Sequence, residues 1–103
     1  MKIHSLEKRR YSILTNNLDF CINCGAKKDN IHEVFYGKNR LNSILNGFCI
    51  PLCFKCHLEI HNNNLLDLKY KQLCQAKYEE TNSREDFLRI CHKNYLWYNV
   101  YVE

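Results

Sequence analysis

The chain has 103 residues, 46% of them apolar, with one proline and three glycines, which fits a single domain over 1–103 and excludes a multidomain or disordered reading. Fifteen Lys and Arg against eleven Asp and Glu leave a net charge of +4, too small by itself to name a nucleic-acid partner. Seven cysteines stand out, and because so short a chain buries only about 65% of its unfolded surface, something beyond the hydrophobic core is expected to hold it together.

In chain order, residues 1–10 carry charges where a secretory leader would be apolar, and no stretch approaches the roughly 18 apolar residues of a membrane-spanning helix. A cytoplasmic protein with reduced thiols is the expectation, and an odd cysteine count favours metal binding over disulfides. Ile3, Leu6, Arg10 and Ile13 have the spacing of a short amphipathic helix over 2–14. The β-branched and aromatic residues from Ile31 to Tyr36 predict a strand ended by Gly37, and Phe48 to Leu52 predicts a second. Asn63-Asn64 caps a helix with Leu66, Tyr70, Leu73, Cys74, Lys77 and Tyr78 on one face. Ser83-Arg84-Glu85-Asp86 reads as a capping-box-like start for a helix carrying Phe87, Ile90 and Cys91. Cys74 and Cys91 then fall in the core. The tail from Tyr95 to Val102 alternates aromatic and β-branched residues and predicts a strand or extended arm packed over the centre.

Two Cys-x2-Cys pairs, Cys21/Cys24 and Cys53/Cys56, supply four thiolates in the pattern of a closed tetrahedral zinc site, with Gly25 giving the first turn its backbone freedom. Cys49 is assigned to the core. A second constellation lies beside this one. His57 and His61, four apart on a helix starting near Lys55, project from one face, and with His32 they can grip a separate ion. Cys56 and His57 are adjacent on that helix, so their side chains diverge and can serve different metals. The alternative is that the histidines are surface residues, or that one replaces a cysteine in a single zinc site. Imidazole ligands suit a transition metal better than magnesium.

The segment Ile31-His32-Glu33-Val34-Phe35-Tyr36-Gly37, with Pro51-Leu52-Cys53-Phe54-Lys55-Cys56-His57 and His61, resembles the ββα-metal centre of HNH endonucleases, closest to small HNH-like zinc proteins of phages and prophages. Leu68 to Gln75, Tyr78-Glu79, Glu85-Asp86-Phe87 and Lys93 to Leu96 resemble the C-terminal half of that group, so the likeness covers most of 20–96. It implies an α+β fold: a small zinc-stabilised ββα-metal core, its metal centre at about 20–62, followed by a helical part at about 63–103. It also implies a metal-dependent endonuclease or nickase acting on nucleic acid, DNA first, in a bacterial host cytoplasm. Cys21, Cys24, Cys53 and Cys56 would hold structural zinc; His32, His57 and His61 would hold a second divalent ion (Mn, Ni, Zn or Mg). Lys38 and Arg40 would contact the nucleic-acid backbone. His32, His57 and Glu33 would be the catalytic group, Glu33 standing where the family has its general-base histidine. Phe48 occupies the place of the family's middle asparagine, with Asn46 or Asn42 the nearest substitute. A second function class follows from the Glu33 replacement: an inactive HNH-like zinc protein that binds nucleic acid or inhibits a host defence protein.

Overall fold

Asn30–Glu33 (β1) and Cys49–Leu52 (β2) pair antiparallel in the computed structural model, which describes residues 8–97. Ile31 faces Pro51 and His32 faces Ile50 across the ladder. Pro51 has no N–H to give, and its carbonyl instead accepts from Ile22 N at 2.9 Å, tying the first cysteine turn to the sheet. Both expected strands are present but shorter. Beyond Glu33 the amide of Val34 still reaches Phe48 O, but that of Phe35 goes to the Ser43 hydroxyl at 3.0 Å, which donates back to Phe35 O at 2.7 Å.

A 3-10 turn, Gly37–Asn39, then leads into a helix that the sequence reading did not anticipate, Arg40–Asn46 (α1). Asn39 precedes it without making a side-chain capping bond, and the stretch RLNSILN is too short for periodicity to show. Tertiary contacts hold it: Ser43 and Ile44 are buried, Asn42 donates to Ile90 O at 3.0 Å, and Asn39 donates to Cys91 O at 3.3 Å. Gly47 ends α1 at φ +73°, and a Cβ there would meet the Tyr11 ring and Ile13 Cγ2.

Phe54–Asn62 (α2), Asn64–Tyr78 (α3) and Arg84–Cys91 (α4) follow. Each begins on an acceptor side chain: Cys53 Sγ takes the amide of Cys56, Asn63 those of Leu65 and Leu66, and Ser83 that of Asp86. Among the described residues the fold is therefore α+β, one two-stranded sheet and four helices, and no helix is long and apolar enough to cross a membrane. The core joins Phe35, Phe48, Ile50, Leu52, Ile60, Tyr70, Cys74, Phe87 and Cys91, with Phe35, Phe48 and Phe87 in edge and tilted contacts 5.2–5.9 Å apart.

Three expectations change. Residues 8–14 are not helical: Ser12 bridges to Phe48 and Ile13 N bonds Gly47 O, so this arm runs along the α1–β2 turn, while 1–7 lie outside the described residues. On α3, Leu73 is 36% exposed whereas Gln72 and Gln75 are fully buried. Their amides clamp the backbone of Tyr95: Gln72 Nε2 donates to its carbonyl (3.0 Å) and Gln75 Oε1 accepts from its amide (2.8 Å). The tail, in turn, opens as a 3-10 turn at Tyr95–Trp97; the expected strand or arm beyond it lies outside the described residues.

Candidate metal centres

Cys21 and Cys24 sit in a turn closed by the Cys21 carbonyl accepting from Gly25 N (2.9 Å), Gly25 having φ +84°. Cys53 and Cys56 come from the cap and first turn of α2. The β2–α2 junction and the Pro51 contact bring the two pairs together, so that all four Sγ atoms lie within 4.8 Å of one another. Cys24 Sγ and Cys53 Sγ are 3.6 Å apart, close to the roughly 3.8 Å that bonds of about 2.3 Å at tetrahedral angles require. Around them, Asn23 Nδ2 donates to Cys56 Sγ at 3.3 Å, and the Tyr70 hydroxyl on α3 donates to Asn23 Oδ1 at 2.9 Å. An outer layer of this kind orients thiolate ligands. Burial raises the Cys56 thiol to about 12, the other three thiols adding to it against the Asn23 amide. At Cys21 burial also raises, but backbone bonds at Cys53, Cys24 and Asn23 outweigh it and bring the thiol down to about 6. Four sulfurs so crowded repel one another as thiolates unless a cation lies between them, and the group has the donor set of a structural zinc site.

The three histidines also converge. His32 projects from β1, and His57 and His61 come from successive turns of α2, with ring centroids 5.0–5.4 Å apart and donor nitrogens within 4.8 Å of one another. His32 is 5% exposed and its Nε2 is buried with no hydrogen-bond partner. A buried, unpartnered imidazole nitrogen costs free energy that a bound cation would recover, so the donor set fits a divalent ion. Burial, then the neighbouring His57, His61 and Lys71, lowers His32 to about 3, and burial with His61 lowers His57. Both rings are neutral at pH 7, as a metal ligand must be.

The cleft beside this trio has a volume of about 250 Å³, and Arg10, Glu33 and Tyr36 line it together with the histidines. Glu33 has each carboxylate oxygen in an ion pair, with Arg10 at 2.7 Å and with Arg40 at 2.6 Å. The proposed base and one of the two proposed backbone contacts thus hold each other. Lys38 is exposed on the 3-10 turn, and neither it nor Arg40 lines the cleft. Asn42 and Asn46 both donate to backbone carbonyls, at Ile90 and Asn42 respectively. Cys49, Cys74 and Cys91 are buried, as expected. Sequence reasoning missed Arg10, Asn23, Tyr36 and Tyr70; Asn23, inside the first cysteine pair, was the one with a positional signal. Comparison with family models, with curated proteins and with solved structures finds no match to this chain.

Proposed function

We propose that the protein is a metal-dependent nucleic-acid phosphodiesterase of the HNH type, its Cys21/Cys24/Cys53/Cys56 zinc serving as scaffold and its His32/His57/His61 group holding a second divalent ion. The observation that carries this reading is the convergence of three histidines, one with a buried unpartnered nitrogen, at the floor of an open cleft. A divalent ion bound there would supply Lewis-acid polarisation of a phosphoryl oxygen. The chain's own residues do the rest. α2 fixes His57 and His61 one turn apart, β1 brings His32 to them, and Arg10 places positive charge on the cleft wall for an anionic substrate. Glu33, engaged on both oxygens, positions Arg10 and Arg40 in this reading instead of accepting a proton.

The same double ion pair favours the second reading, an inactive HNH-like zinc protein that binds nucleic acid or a defence protein, since Glu33, the carboxylate beside His32, has both oxygens engaged. Plasmid nicking with manganese, nickel, zinc or magnesium, run beside His57→Ala, separates the two. Metal-dependent nicking that His57→Ala abolishes supports the enzyme; zinc-loaded, folded protein inert with every ion supports the binding protein.

A further inference from the structure

Phe35 is buried in the core, and the chain bends past the end of β1 ahead of the turn at Gly37 (φ +71°), which leaves its neighbour Tyr36 on the wall of the histidine cleft. There Tyr36 is 48% exposed, and its ring stands 6.0 Å from the His32 ring and 6.1 Å from that of His61. It is also pinned. Its hydroxyl donates to Asp67 Oδ2 at 3.3 Å, Lys71 Nζ lies 4.5 Å from the ring centroid and 3.5 Å from the hydroxyl, and Lys71 and Asp67 are paired at 2.7 Å on α3. A large aromatic surface is thus left open to the cleft while its orientation is fixed from α3, so a planar ligand meets it with little side-chain ordering to lose.

Resting on the phosphodiesterase reading, we propose that Tyr36 is a stacking platform for the unpaired nucleobase next to the bound phosphate, which makes single-stranded or locally unpaired nucleic acid the substrate class. Three observations support that occupant. The ring shares the cleft with the histidine trio and Arg10, where a phosphate would be held. The cleft, at about 250 Å³, has room for one ring system beside a phosphate. A cation over the ring draws electron density from it, which suits stacking against a nucleobase. Stacking reads the face that every base possesses, so the preference is for unpaired over paired strands and is tolerant of sequence.

The test measures binding, without added divalent ion, of the zinc-loaded protein to short DNA and RNA strands carrying 2-aminopurine, and to the matched duplexes. Single strands should bind more tightly than duplex and lose 2-aminopurine fluorescence on binding, the DNA and RNA arms deciding which sugar is preferred. Tyr36→Ala should weaken single-strand binding about 5- to 150-fold and abolish the quenching, with duplex binding changed by less than about twofold. Tyr36→Phe, which keeps the ring but loses the Asp67 contact that pins it, should keep most of the single-strand affinity and the quenching, and so should Tyr36→Trp; these two decide if the alanine variant does not fold. Equal affinity for strand and duplex, or a Tyr36→Phe loss as large as that of Tyr36→Ala, overturns the proposal. Because no turnover is read, quenching by a protein that never nicks removes the phosphodiesterase and keeps the platform; nicking unaffected by Tyr36→Ala does the reverse.

Discussion

Glu33 and His32 are neighbours on β1, yet their environments differ: one ring nitrogen without a partner, one carboxylate with two guanidinium partners. Glu33→Gln keeps the size and removes the charge. With the carboxylate 11% exposed and the arginines 20% and 33%, its loss should destabilise the fold by about 1–3 kcal/mol in urea unfolding. It should also lower any nicking rate by less than the roughly 10²-fold that loss of a general base costs; a greater loss with the fold intact would restore Glu33 as base. His32 sets a pH dependence. Its folded value of about 3 lies below the ordinary 6.5, so between those values the unfolded chain binds the extra proton. Stability from this group is therefore fully present above pH 6.5 and is lost as pH falls toward 3. Thermal unfolding across that window should show a shallower slope for His32→Leu than for wild type when the histidine site holds no ion. Parallel slopes would contradict the assignment.

At the level of elements, the ends of the helices carry the checks. Asn63 accepts two amides at the start of α3, and Asn63→Ala should cost about 1 kcal/mol by chemical denaturation. At Gly47 the left-handed φ of +73° costs an L-residue roughly 1–2 kcal/mol, and the added Cβ also presses on Tyr11 and on Ile13 Cγ2, 2.9 Å away. Gly47→Ala should therefore be the more damaging of the two; the reverse order would mean that the N-terminal arm yields freely. These caps show what a sequence discloses. Asn63 and Ser83 act within three residues of themselves and were legible. The helix α1 depends on Asn42 and Asn39 reaching across 48 and 52 residues to Ile90 and Cys91, contacts that carry no local pattern. Gln72 and Gln75 misled the apolar periodicity because their partner is backbone at Tyr95, so polar side chains occupy core positions.

For the molecule as a whole, both candidate metal groups were legible because ligand chemistry restricts residue type and spacing: Cys-x2-Cys twice, and histidines four apart on one helix. What surrounds them was not, since Arg10, Tyr36 and Tyr70 reach the sites through tertiary folding alone. The two groups share α2, with Cys56 turned toward the thiols and His57 toward the cleft, so the proposed function partitions one helix between two ions. Metal content and divalent-ion titration of wild type beside His61→Ala test it most directly. About one zinc per chain should resist mild chelation in both proteins, with unfolding once it is stripped, and wild type should bind a weaker exchangeable ion that His61→Ala does not. Release of the tightly held zinc by His61→Ala, or a zinc-free protein that keeps its thermal stability, would contradict it.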